Sequence, residues 1–150
     1  MFTKLELFQT GMVPCLATRT KAVNPVPLIA IVDDDHAVCV SLDGLMRAYG
    51  YRIEMFGSAE AFLASDALKT AACVVSDVQI EGGMSGLDLA RRLKGMGSAP
   101  PVFLISAFAD EAVQKEAKEA GVRLLFKKPF DCCQLIERIE AAMAESAPQA

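Results

Sequence analysis

The chain has no run approaching the roughly 18 consecutive apolar residues that a membrane span needs, and nothing in its order suggests an internal repeat. Basic residues are in deficit. Lys and Arg number 15 against 19 Asp and Glu, for a net charge of −4, so the electrostatic footprint of a nucleic-acid binder is missing. An uninterrupted apolar core near the N-terminus is also lacking, because Lys4 and Glu6 interrupt it; no signal peptide is read, and the expected location is cytoplasmic. The five cysteines, Cys15, Cys39, Cys73, Cys132 and Cys133, form no CxxC pair and are odd in number, which argues against both a zinc site and a disulfide framework. Cys39 and Cys73 fall in apolar stretches and read as small core residues. Cys132 and Cys133 read as partly exposed thiols. A glycine-rich loop after the first apolar run, which would cradle the phosphates of a nucleotide or flavin, is absent as well.

What is present begins with Ile29 to Asp35, IAIVDDD. The apolar half is the continuous run expected of a parallel strand covered on both faces. Asp33, Asp34 and Asp35 would then lie at its C-terminal edge, where open α/β sheets bind their ligands. Adjacent carboxylates repel one another unless they are solvated or face a cation. The stretch therefore reads either as an acidic turn in water or as part of a site for a hard cation such as Mg²⁺.

With 150 residues, 53% of them hydrophobic and 23% charged, one globular domain with a sizeable core is expected. Residues 1–27 differ from the rest, with Pro14, Pro25 and Pro27 among scattered polar residues, and are expected to form a flexible N-terminal extension. Within them Phe2, Leu5, Phe8 and Met12 recur at near-helical spacing, so a short docking helix is the other reading. The domain proper is expected over 28–145, with a tail at 146–150.

From Leu28 onward strand and helix patterns alternate. The first helix is expected over Ala37–Tyr49, with Val38, Leu42, Leu45, Met46 and Tyr49 on its inner face and Gly50 closing it. A second strand runs from Tyr51 to Phe56, followed by a helix capped by Ser58 and reaching about Ala64. Ala72–Ser76 is a third strand ending at Asp77, and Gly86–Lys94 is the third helix. Val102–Ile105 forms a fourth strand ending at Ser106, and Asp110–Ala120 the fourth helix. Val122–Phe126 is the fifth strand, ending at Lys127, Lys128 and Pro129. The fifth helix spans Asp131–Glu145, with Leu135, Ile136, Ile139 and Met143 inside. Five βα units read as a doubly wound α/β domain around one mostly parallel sheet.

In the flavodoxin-like strand order 2-1-3-4-5, the C-terminal strand ends would gather Asp33, Asp34, Asp77, Ser106 and Lys128 along one crevice. Carboxylates for a cation, a central carboxylate nucleophile, a hydroxyl and an ammonium suit phosphoryl transfer. Cation and ammonium would screen the repulsion between Asp77 and an anionic donor. Each residue also has a plain structural role open to it: Asp77 as a turn residue, Ser106 as a helix cap, Lys128 as a solvated lysine.

The motifs IVDDD, VVSDV, MSGLDL, FLISAF and KKPF, in that order, resemble the response-regulator receiver domain of two-component signalling, and FixJ-type receivers in particular. The resemblance covers about Leu28 to Ala144. It implies a CheY-like fold in which Asp77 takes a phosphoryl group from a histidine kinase or phosphotransfer protein. Mg²⁺ would be held by Asp34, Asp77 and the backbone carbonyl of Gln79, with Asp33 in support. Ser106 and Lys128 would bind the phosphoryl oxygens. Pro129 matches the family's Lys-Pro pair, in which a cis peptide is common. A signalling domain rather than an enzyme in the ordinary sense is implied.

Three departures from the family pattern stand out. The loop after Asp77 reads DVQIEGGMSG, with Glu81 in place of a proline and one extra residue. The position of the switching aromatic, three before the lysine, holds Leu125 beside Phe126. Phe108 lies two residues past Ser106, where its bulk would shield the phosphoryl group and slow hydrolysis. No DNA-binding segment follows the last helix in this chain, so output is expected from the receiver surface, through a homodimer or partner on the face of the fourth helix, fifth strand and fifth helix, or from a domain outside this sequence. The alternatives are a phosphorylation-independent pseudo-receiver acting as an interaction module, motivated by the altered loop and Leu125, and an unrelated flavodoxin-like enzyme.

Overall fold

A computed structural model describes residues 26–97 and 99–146. The β-strands are β1 (Leu28–Val32), β2 (Arg52–Phe56), β3 (Ala71–Asp77), β4 (Val102–Ser106) and β5 (Leu124–Lys127). All neighbouring pairs are parallel, and the sheet order is β2-β1-β3-β4-β5, the order expected. The helices are α1 (His36–Ala48), α2 (Ala59–Leu63), α3 (Ala67–Thr70), α4 (Gly86–Lys94), α5 (Glu111–Glu119) and α6 (Cys132–Ser146). The helix expected after Ser58 is therefore followed by a second short one. Ser65 separates them, its hydroxyl donating to the Phe62 carbonyl at 2.8 Å and accepting from Ala67 N at 3.2 Å. The fourth and fifth helices of the sequence reading are α5 and α6.

The sheet divides the core in two because successive strand residues face opposite sides. Ala30, Val32, Val74 and Leu104 pack with Phe62, Leu89 and Leu93 of α2 and α4. Ile29, Ile31, Val75, Phe103 and Ile105 pack with Leu42 and Met46 of α1 and Leu135, Ile136 and Ile139 of α6. Both faces of β1 are covered and all five of its residues are buried, which is why its sequence runs apolar without alternation. Each such Leu or Ile contributes about 2 kcal/mol by leaving water.

Several expected core positions shift. In α1 the buried residues are Cys39, Leu42 and Met46, while Tyr49, expected on the inner face, caps the helix and is 49% exposed. Helix α1 ends at Ala48, so Tyr49, although in phase with Leu42 and Met46, is the C-cap residue beyond the last helical position. Val38 and Leu45 pack at the margin. In α6 the fourth fully buried residue is Ala142, with Met143 only partly covered. Strand β5 begins at Leu124, because Val122 N donates to Ala117 O at the end of α5. Cys39 and Cys73 are buried, Cys132 is half-buried and Cys133 exposed.

At the entrance to the domain Arg52 holds the chain before β1, its amide donating to Pro27 O at 2.9 Å and its Nε to Val26 O at 3.2 Å. The expectations for Phe2, Leu5, Phe8, Met12 and Cys15, and for residues 147–150, lie outside the described residues.

Candidate functional site

The C-terminal ends of β1 and β3 are adjacent, and they bring Asp33, Asp34 and Asp77 together. One carboxylate oxygen from each lies within 4.8 Å of the others. Asp35, the third acid of the run, is not part of this group. Its Oδ1 accepts from Ala37 N at 3.0 Å and Val38 N at 3.4 Å, satisfying free amides at the start of α1. The crowding of acids thus has two causes, a cluster and a helix cap.

Asp33 is 4% exposed, and its Oδ1 accepts from Asp35 N at 2.8 Å. Burial pushes its carboxyl up to about 6, with the nearby Asp77 and Asp34 carboxylates adding to the rise and the Asp35 amide and Lys128 opposing it. A buried acid facing two other carboxylates is electrostatically unsatisfied, and three hard oxygen donors fit a hard divalent cation such as Mg²⁺.

Lys128 reaches the cluster from the far side. It follows β5, its amide donating to Ser106 O at 2.8 Å, and the Lys128–Pro129 peptide is cis. Its Nζ lies 3.3 Å from Asp77 Oδ2, with the two side chains 27% and 12% exposed. That ion pair is less screened by water than a surface pair. The other oxygen, Asp77 Oδ1, accepts from Gln79 N at 3.3 Å. Gln79 therefore reaches the cluster, and the atom seen to do so is its amide nitrogen.

Ser106 ends β4 and is buried. Its hydroxyl does not engage the carboxylates: Oγ donates to Phe108 O at 2.6 Å and accepts from Phe108 N at 3.0 Å. The Phe108 side chain stands 63% exposed. Leu125 packs with the Leu104 side of the core and Phe126 with the Ile105 side, where its ring meets Phe130 at 6.3 Å. Phe126 is thus on the opposite face of the sheet from Leu125 and does not replace it.

The loop between β3 and α4 is tied down at several points. Val78 N donates to Ile105 O, Gly86 N donates to Val78 O at 2.9 Å, and Ser85 caps α4 by accepting from Asp88 N at 3.1 Å. Gly86 is required at its position, because a Cβ there would lie 2.2 Å from Asp77 O. Glu81 N donates to Asp34 Oδ2 at 3.1 Å, and Met84 N donates to Glu60 Oε2 at 2.8 Å. Glu60 and the Glu81 amide were not legible in the sequence: neither has a motif that points 24 or 47 residues away.

A cavity of about 300 Å³ beside the cluster is lined by Asp33, Asp34, His36, Met55 and Phe56. A larger one, about 450 Å³, includes Ala71, Ala72, Pro100 and Pro101 at the opposite ends of β3 and β4. Only the smaller of these two adjoins the carboxylates, so chemistry rather than size marks the site.

Comparison with known proteins agrees with this geometry. Residues 29–140 match the family model described as the response regulator receiver domain. The response regulator protein TodT of Pseudomonas putida is 36% identical over 139 residues, covering 93% of this chain and 60% of that protein. The transcriptional regulatory protein FixJ of Bradyrhizobium diazoefficiens is 35% identical over 124 residues, covering 81% of this chain and 59% of FixJ. The chain thus spans about 60% of the length of these curated relatives. A crystal structure of full-length FixJ from B. japonicum superposes with a TM-score of 0.72 at 33% identity, over 83% of this chain and 61% of that one. With sheet order, clustered strand-end residues and family match in agreement, the chain belongs to the response regulator receiver domain family.

Proposed function

We propose that this receiver accepts a phosphoryl group on Asp77 from the phosphohistidine of a histidine kinase or phosphotransfer protein, in a Mg²⁺-dependent reaction. The observation that carries the reading is the ion pair of Lys128 with Asp77, at 3.3 Å, on the edge of the Asp33, Asp34 and Asp77 cluster. Asp34, Asp77 and the Gln79 carbonyl would hold the cation, with Asp33 in support. A divalent cation bound there supplies neutralisation of charge on the transferring group.

Asp77 supplies the attacking oxygen. The new O–P bond forms as the P–N bond to the donor imidazole breaks, and the bonding pair stays on the imidazole nitrogen. Lys128 offers its ammonium to a phosphoryl oxygen. The Ser106 hydroxyl offers a further hydrogen bond once it releases the Phe108 carbonyl. That release would alter the chain after β4 and shift the population of the α5, β5 and α6 face, through which a homodimer or partner would bind.

The unit proposed to act is 28–145, with 1–27 as a flexible extension and 146–150 as a tail. Its proposed compartment is the cytoplasm. No helix among the described residues is long and apolar enough to cross a membrane. Net charge of −4 favours protein partners over direct contact with nucleic acid.

A second reading, a phosphorylation-independent interaction module, is favoured by one observation: a partly buried Leu125 packs against the core where an aromatic switch would stand, and Phe126 faces the other way. Intact-mass spectrometry of the chain with Mg²⁺ and acetyl phosphate, beside Asp77→Asn, separates the two. A single phosphoryl adduct that needs both Mg²⁺ and Asp77 supports the first. A folded protein that takes no adduct supports the second.

A further inference from the structure

The three clustered carboxylates are not held equally. Asp33 is buried and fixed by the Asp35 amide, and Asp77 is fixed by Gln79 N and Lys128. Asp34 is exposed. Among the described residues, the one hydrogen bond to its carboxylate comes from Glu81 N, in the loop that joins β3 to α4. The orientation of Asp34 is therefore only as fixed as that loop.

The loop carries Gly82 and Gly83 in succession, and a free segment of that composition samples many conformations. What restrains it beside these glycines is Glu60 of α2, whose Oε2 accepts from Met84 N at 2.8 Å. The carboxylate also points both oxygens at Gly83, where a Cβ would come within 2.7 Å of Oε2 and 2.8 Å of Oε1. Glycine at 83 leaves the room that this carboxylate occupies.

We infer that Glu60 is a positioning residue for the cation site: by holding Met84 and lying against Gly83 it fixes the loop whose Glu81 amide orients the Asp34 carboxylate. Glu60 acts through the backbone it binds. The inference rests on the cation-site reading given above and adds to it a residue outside the cluster.

Calorimetric titration of the full chain with Mg²⁺ tests this, with thermal melts of every variant and Asp34→Asn as the reference. Glu60→Ala is expected to weaken Mg²⁺ binding about 10-fold, the lower end of what outer-shell partners contribute. Glu60→Gln keeps an oxygen able to accept from Met84 N and should stay within about twofold of wild type, the scatter of uncoupled changes. Gly83→Ala approaches the same contact from the other side. Its methyl displaces a flexible carboxylate rather than backbone, so the fold is retained while binding weakens as in Glu60→Ala. In the double variant the Gly83→Ala penalty should vanish, since the carboxylate it displaces is gone.

Glu60→Ala and Gly83→Ala both binding like wild type would overturn the inference. So would Glu60→Gln binding as weakly as Glu60→Ala, which would make the effect one of charge, and so would additive penalties in the double variant. If wild type itself binds no Mg²⁺, or binds it regardless of Asp34→Asn, the cation-site reading fails and this inference with it. Should Glu60→Ala not fold, Gly83→Ala and Glu60→Gln decide.

Discussion

Lys128 Nζ stands 3.3 Å from Asp77 Oδ2, joining residues 51 apart in the chain across the C-terminal edge of the sheet. In the absence of a cation this ammonium is the closest positive charge described at the carboxylate cluster. In the proposed reaction it would compete with an incoming divalent ion and would also aid transfer.

Lys128→Ala should therefore separate two properties. Mg²⁺ affinity, read by calorimetry, should tighten about 10-fold, as expected when one unit charge is removed at a partly buried edge. The rate of adduct formation from acetyl phosphate should fall about 100-fold, as when a charge-stabilising donor is lost. A parallel fall in both would mean that Lys128 supports the site structurally.

The buried Asp33 carboxyl, raised to about 6, makes a signed prediction for stability. Its unfolded counterpart releases its proton near pH 4. Between the two values the folded state holds a proton that the unfolded state has lost, so this group's contribution is full below about pH 4 and is lost as pH rises through about 6. Urea midpoints in EDTA, wild type minus Asp33→Asn, should decline across that interval. A flat difference would show that Asp33 is not perturbed.

Gly86→Ala is expected to destabilise the fold by about 2–3 kcal/mol, because its Cβ would meet Asp77 O at 2.2 Å and Leu104 Cδ2 at 3.1 Å, one fixed by the sheet and the other by the core. Gly44→Ala, at an exposed position of α1 with nothing within 4 Å, should instead stabilise by about 1 kcal/mol. Urea denaturation of the pair provides the contrast, and equal effects would contradict the packing argument.

Phe108 bears on how long a phosphoryl group would persist. Its ring is 63% exposed while Ser106 is bonded to its backbone, so shielding of the phosphoryl group needs the loop to move once Ser106 turns away. If it does, dephosphorylation is slow and Phe108→Ala shortens the adduct lifetime, followed by mass spectrometry at fixed Mg²⁺, by about 10-fold. An unchanged lifetime would place the ring outside the reaction.

Much of the fold was legible because local rules suffice for it. Helix α4 spans Gly86–Lys94 as its pattern implied, and Ser85 and Gly95 are its caps, while the apolar runs of β1 and β4 follow from cover on both faces. Boundaries slipped where a distant or side-chain partner intervened. Arg123 N donates to Val102 O and Val122 N to Ala117 O, so β5 starts later than its composition implied. Asp35 caps the start of α1, and the helix stops at Ala48, which leaves Tyr49 at the exposed C-cap.

The sequence by itself determined the alternation of strands and helices, the acids that fall at the ends of β1 and β3, and the lysine and proline after β5, because these depend on residue type and short-range order. Only the tertiary structure decided which acids meet. It separated Asp35, bound to its own helix, from Asp33 and Asp34, and put Leu125 and Phe126 on opposite faces of the sheet. It also turned Ser106 toward Phe108 and brought Glu60 to the loop after Asp77. The physical reason is one of range. Capping and periodicity act over a few residues, whereas hydrogen bonds such as that from Met84 N to Glu60 and from Glu81 N to Asp34 join segments that only the packed sheet brings side by side.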